Sequence, residues 1–153
     1  MSRLIPVLLF VTLAFACGKD KLATKPTIKI TSESASFIPN NGALQIEMEF
    51  TDKEGDISNT LFVQKIRTNK RTVPTIRDTF SLTVPDYPKN TQGIIQTTLY
   101  YQAHLLSAIN PPNLGGNPPR FEDDSLIIRF VLRDLAGNVS DTVSTKPIVV
   151  SRN

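Results

Sequence analysis

Apolar and polar residues alternate along much of this chain. Leu44, Ile46, Met48 and Phe50 fall on one side of a two-residue period, with Gln45, Glu47 and Glu49 on the other. Phe80, Leu82 and Val84 alternate with Ser81 and Thr83, and Leu126, Ile128, Phe130 and Leu132 with Ile127, Arg129, Val131 and Arg133. A period of two belongs to a strand with one face on a core, because successive side chains leave the backbone on opposite sides. A slip of one residue would turn each face inside out, so the same pattern specifies register. Strands are predicted near 27–32, 43–51, 60–68, 75–84, 92–102, 125–133 and 141–150. Helical periodicity is nearly absent; only His104 to Ile109 has room for a turn or two.

Turn chemistry separates these runs: Pro39-Asn40-Asn41-Gly42, Asp52-Lys53-Glu54-Gly55-Asp56, Asp86-Tyr87-Pro88 and Ala136-Gly137-Asn138. About seven strands with one-sided alternation predict an all-β fold, two antiparallel sheets packed as a β-sandwich. The segment Phe50-Thr51-Asp52-Lys53-Glu54-Gly55-Asp56-Ile57-Ser58 resembles the second-to-third strand connection of bacterial immunoglobulin-like, fibronectin type III-like and cadherin-like modules. Arg133-Asp134-Leu135-Ala136-Gly137-Asn138-Val139-Ser140-Asp141 resembles their last hairpin. The resemblance implies a single immunoglobulin-like sandwich over 26–153. It implies no activity, since such sandwiches carry many unrelated roles.

The N-terminus has a different pattern. Met1-Ser2-Arg3 is basic, Leu4 to Phe15 is a nearly unbroken apolar run, and Ala14-Phe15-Ala16 gives a small-x-small pattern. The run falls well short of the roughly 20 residues a membrane-spanning helix needs. Followed by Cys17, it resembles a bacterial lipoprotein leader. That resemblance implies a signal peptide over 1–16, a lipid on Cys17 and a place in the cell envelope, at the bacterial outer membrane or the periplasmic face. An ordinary secretory cut at the same bond, leaving a soluble secreted or periplasmic protein, is the alternative. Cys17 is the only cysteine, and acylation accounts for an odd thiol in an oxidising compartment. Residues 17–25 read as anchor and polar tether, with order from Pro26.

Composition narrows the chemistry. Seventeen Lys and Arg stand against 14 Asp and Glu, and the leader carries Arg3 alone, so the remainder is close to balanced. That balance argues against nucleic acid as a partner. One cysteine permits no intramolecular disulfide and no cysteine-based metal site, and one histidine, His104, rules out a zinc site built on paired histidines. His104 is also the sole candidate base for a Ser-His-Asp arrangement, in a chain without a nucleophile motif.

Three groups of residues stand out. An immunoglobulin-like strand order would bring Asp52, Glu54 and Asp56 to the same end as Asp134, Asn138 and Asp141. Carboxylate and amide oxygens so gathered are candidate Ca²⁺ ligands; equally, Asp, Asn and Gly are the best turn formers and are commonly solvated. No other cofactor is implied. The second group is Pro111, Pro112, Leu114, Gly115, Gly116, Pro118 and Pro119, within a 102–124 connection too long for a simple turn. It reads either as a contact loop or as a tolerated insertion. The third is basic: Arg67, Lys70, Arg71 and Arg77 around a hairpin, expected as solvated guards of a sheet edge. Of Tyr100 and Tyr101, alternation puts one in the core and one on the surface.

The function expected is a non-catalytic, lipid-anchored envelope module that meets an envelope protein or a glycan. In that sandwich the first strand starts at the acidic end, which a tether from Cys17 would hold near the membrane, and the 102–124 loop faces outward. The alternative is a Ca²⁺-stabilised structural or adhesion-type spacer. A carbohydrate-active hydrolase, drawing on Glu122-Asp123-Asp124, is disfavoured by the absence of Trp for a sugar cleft.

Overall fold

The structure is a computed structural model that describes residues 24–71, 77–86, 88–107 and 109–153. The predicted leader over 1–16, Cys17 and the part of the predicted tether up to residue 23 lie outside the described residues. Among those described, no helix is long and apolar enough to cross a membrane.

In chain order the strands are β1 (Thr27–Glu33), β2 (Phe37–Ile38), β3 (Ala43–Thr51), β4 (Thr60–Arg67), β5 (Arg77–Thr83), β6 (Gln92–Tyr100), β7 (Asn113–Gly115), β8 (Arg120–Phe121), β9 (Asp124–Arg133), β10 (Val143–Ser144) and β11 (Ile148–Val150). One sheet runs β1-β3-β6; the other runs β2-β11-β9-β4-β5, with β10 also on β9. All main pairings are antiparallel. This is an antiparallel β-sandwich of immunoglobulin-like order, with β10 and β11 together making the seventh long strand.

The alternating residues behave as the period requires. Leu44, Ile46, Met48 and Phe50 on β3 are buried against Leu126, Ile128, Phe130 and Leu132 on β9, with Leu61 and Val63 of β4 and Ile148 and Val150 of β11. Burial of this apolar set supplies the main driving force for the fold. Tyr101 is buried and Tyr100 exposed.

The structure departs from the periodicity in three places. β1 carries a bulge between Ile30 and Ser32, and after Glu33 the chain leaves the first sheet, so that β2 pairs in parallel with β11 of the second. The helical turn falls at Tyr101–Leu105 rather than at 104–109. It is a π-type turn closed by the Leu106 N–H on the Tyr101 carbonyl at 2.9 Å, with His104 Nδ1 accepting from the Tyr100 N–H at 3.0 Å. Finally, the predicted strand over 141–150 is broken between β10 and β11, where Pro147 lacks an N–H to give a ladder.

Hydroxyl groups replace the missing ladder bonds on β9. Ile128 N–H donates to Thr145 Oγ1 at 3.0 Å, and Leu132 N–H to Ser140 Oγ at 2.9 Å, both buried. A buried N–H without an acceptor costs its full desolvation. Thr145→Val keeps the shape and removes the acceptor, so it should destabilise the fold by about 1–3 kcal/mol, read as a lower urea midpoint with an unchanged slope.

Candidate functional site

The inward face of each central strand carries the same alternation past its apolar run and ends on charge. On β4 the inward series is Leu61, Val63, Lys65, Arg67; on β9 it starts at Asp124 before Leu126; on β11 it continues from Ile148 and Val150 to Arg152. These charged ends meet at the end of the sandwich where β6 turns towards β9. Asp124, with no solvent exposure, sits between two guanidinium groups: Arg67 Nε at 2.7 Å from Oδ1 and Arg152 NH2 at 2.6 Å from Oδ2. The Arg67 contact is an ion pair without directed hydrogen-bond geometry, whereas Arg152 Nε donates to Oδ2 at 2.6 Å. Lys65 faces Asp78 of β5 at 3.3 Å.

The remaining donors of these cations hold the connection after β6. Lys65 Nζ donates to the Leu106 carbonyl at 2.9 Å and the Leu105 carbonyl at 3.4 Å. Arg67 donates to the Ile109 carbonyl at 2.8 Å and Arg152 to the Ser107 carbonyl at 3.1 Å. Arg67 is therefore not a solvated guard of the hairpin edge, as expected from its neighbours Lys70 and Arg71: it is 4% exposed. Its inward register and its fully buried partner Asp124 are the reason. The hairpin tip at 72–76 lies outside the described residues.

Above this layer the loop is built rather than loose. β7 and β8 form a small hairpin, with Asn113 Oδ1 accepting the Gly115 N–H at 2.7 Å. Asn153 grips its return strand at the Phe121 N–H and carbonyl (3.1 and 3.0 Å), and the Glu122 N–H closes on the Pro112 carbonyl at 3.0 Å. Pro111 is buried at the base and Pro112 half-buried, while Leu114, Gly115, Gly116, Pro118 and Pro119 are exposed at the tip.

The opposite end is acidic. The series Leu44 to Phe50 continues inward to Asp52, and Leu126 to Leu132 continues to Asp134, both fully buried. Asp56 joins them from the β3–β4 loop, and one carboxylate oxygen of each of Asp52, Asp56 and Asp134 lies within 4.8 Å of the others. Backbone bonds knit the two loops: Leu135 N–H to the Asp56 carbonyl at 3.0 Å, and Asn59 Nδ2 to the Asp134 carbonyl at 2.8 Å. Gly55 has φ +67°, and a Cβ there would lie 2.9 Å from the Asn90 backbone, so glycine permits the loop's close approach. Burial pushes the Asp52 carboxyl above its ordinary range, against backbone N–H donors that lower it, and the facing Asp56 carboxylate raises it further.

Of the six residues proposed from sequence, Asp52, Asp56 and Asp134 converge. Asn138 donates its backbone N–H and its amide to the two Asp134 oxygens at 2.7 and 2.8 Å. Glu54 is exposed, and Asp141 pairs at the surface with Lys25 at 2.6 Å. Asn138 also reaches the Thr24 carbonyl at 3.4 Å, so the chain enters the sandwich at this end. Sequence reading missed Lys65, Asp78, Asp124 and Arg152 as one layer. The signal was available: each extends a neighbouring apolar register by steps of two.

No family model matches the chain, and no curated protein matches it in sequence. Among solved structures it is similar to the sporulation control protein Spo0M of Bacillus subtilis, at 12% identity and a TM-score of 0.45 over 86% of this chain and 51% of that one. It is also similar to part of a β-glucosidase of Listeria innocua crystallised with gluconolactone, at 11% identity and a TM-score of 0.39 over 83% of this chain and 16% of that one. The chain thus spans about half of the first protein and a small part of the second. The strand order above, not these likenesses, assigns the fold, and no activity of either protein is carried over.

Removing one partner of a buried ion pair leaves the other charge uncompensated. Arg67→Met should therefore cost about 3–5 kcal/mol in a urea titration and open the 106–122 loop to limited proteolysis before the rest of the domain. Lys65 gives a pH signature. Desolvation lowers its pKa below 10.5, against the opposing pull of Asp78 and Asp124. The native state then binds fewer protons than the unfolded state between the lowered value and 10.5, so stability rises with pH across that window. The stability difference between the wild type and Lys65→Met should shift in the wild type's favour as pH is raised through that window, and back as pH falls.

Proposed function

We propose that this chain is a non-catalytic module of the cell envelope, held by a lipid on Cys17 and presenting the β6–β9 loop to an envelope protein or a glycan. The observation that carries this reading is the brace beneath the loop. Three buried cations, Lys65, Arg67 and Arg152, spend their donors on the carbonyls of Leu105, Leu106, Ser107 and Ile109. A loop fixed in advance loses little further entropy on meeting a partner, which is how preorganisation raises affinity. Its exposed tip offers Leu114, 50% exposed, between polar and proline residues. The tip lies at the end away from Thr24 and Lys25, where the chain enters.

Two of the carboxylates that a hydrolase would draw on are engaged elsewhere. Asp124 is enclosed by two arginines, and Asp123 Oδ1 accepts the Arg152 N–H at 2.9 Å. His104 offers no free base at Nδ1, and its ring stacks on Phe80 at 5.4 Å. Attachment to a membrane raises the local concentration of such a module near its partner, so a modest interface suffices.

Crosslinking in living cells tests the reading, with the full chain beside a variant whose residues 113–119 are replaced by a Gly-Ser link that spares the braced base. A neighbour captured by the full chain and lost with the loop supports it. Identical neighbours in both overturn the loop's role. In the same cells Cys17→Ala should move the protein from the membrane fraction to the soluble fraction; retention at the membrane would overturn the anchor.

A further inference from the structure

The two ends of the sandwich handle buried charge differently. At the loop end every inward carboxylate has a cation beside it: Asp124 has Arg67 and Arg152, and Asp78 has Lys65. At the entry end Asp52, Asp56 and Asp134 have each other. Among the described residues no ion pair reaches any of the three. Asp52 is 0% exposed, and its Oδ1 has no hydrogen-bond partner; Asp56 Oδ1 is also shut off from solvent and also without one. The hydrogen bonds that do arrive go to other oxygens, from the Asp56 N–H to Asp52 Oδ2 at 3.1 Å and from Asn138 to Asp134.

Two fully buried carboxylates facing a half-buried third repel strongly, because the screening that water supplies is much reduced. Buried oxygens without donors add a desolvation cost. Either a proton or a metal ion must neutralise the group. All donors are oxygen, which selects a hard cation. Mg²⁺ generally keeps several waters and uses one or two carboxylates, whereas Ca²⁺ accepts more protein oxygens in looser geometry. We propose that Asp52, Asp56 and Asp134 form a Ca²⁺ site that clamps the β3–β4 loop to the loop between β9 and β10. Glu54 and Asp141 have no part in it, and Asn138 acts by orienting Asp134.

The site has a mechanical consequence. The loop after β9 contacts the entering chain through Asn138 to the Thr24 carbonyl and Asp141 to Lys25. A bound ion therefore stiffens the loop that Thr24 and Lys25 contact where the chain enters the sandwich. This inference goes beyond the loop's role and does not depend on it.

The test uses the full chain stripped with a chelator, followed by calorimetric titration and thermal melting with Ca²⁺ and, separately, Mg²⁺. One Ca²⁺ should bind per chain, and at a free concentration 100 times its dissociation constant the unfolding constant should fall about 100-fold. Mg²⁺ should give a much smaller shift. Asp52→Asn separates ligand loss from misfolding: without metal it should melt no lower than the wild type, since an amide relieves the repulsion and can donate to Asp56, yet its Ca²⁺ shift should vanish. Asp56→Asn should lose the shift as well. A Ca²⁺ shift that survives in Asp52→Asn places the ion elsewhere and overturns the proposal. So does an equal response to Mg²⁺. Absence of any metal response, with the wild type gaining stability over Asp52→Asn on acidification, would show a shared proton in the ion's place.

Discussion

Asp124 is the residue on which the loop end of this molecule depends. It lies at the start of β9 with no access to solvent, and two arginines from different parts of the chain close on its two oxygens. Taking such charges out of water is expensive, and a buried ion pair is often no more stabilising than a well-packed apolar set. Its contribution here is geometric. Once Asp124 fixes Arg67 and Arg152, Arg67 donates onward to the Ile109 carbonyl and Arg152 to the Ser107 carbonyl and Asn110 Oδ1, and the chain after β6 is held in one place.

The same demand organises the rest of the connection. Asn69 and Thr68 at the end of β4 bond Asp123 and Ser125, while Tyr101 donates to the Ser151 carbonyl at 2.7 Å. Strand β4, the C-terminal segment and the β6 exit therefore share one polar layer capping the apolar core. Lys65, Arg152, Thr68, Asn69 and Tyr101 each have a named acceptor, while Arg67 Nε and NH1 make no directed hydrogen bond; the satisfied members of such a buried polar network help to specify one arrangement. The acidic end lacks that closure. Its backbone is well bonded, but its carboxylates face one another, so the fold leaves a charge deficit that a cation would fill.

The sandwich thus has two ends of opposite character. One is closed by its own cations and carries a formed loop outward. The other buries acids alone among the described residues and receives the chain from its N-terminal side. In an immunoglobulin-like topology this polarity follows from connectivity, because the β3–β4 and β9–β10 loops share one end and the β6–β9 connection must leave from the other. The entry of the chain and the formed loop are thereby kept at opposite ends.

By itself the sequence determined the long strands of the two sheets. Alternation at 44–50, 80–84 and 126–132 favours one inward face, since a slip of one residue would expose the apolar set. The turn residues set the breaks, and the resemblance of two acidic loops was enough to place Asp52, Asp56 and Asp134 at one end. Tertiary structure decided what charge does there. Arg67 sits in sequence beside Lys70 and Arg71 and reads as surface. It is buried because Asp124, 57 positions away, occupies the inward start of the paired strand and Arg152 arrives from the far end of the chain. Likewise, only the folded loops separate Asp52, Asp56 and Asp134 from Glu54 and Asp141, which share their composition but stay in water. Periodicity is a local property and survives in the sequence; the partner that makes a buried charge tolerable is remote, and appears only when the strands have paired.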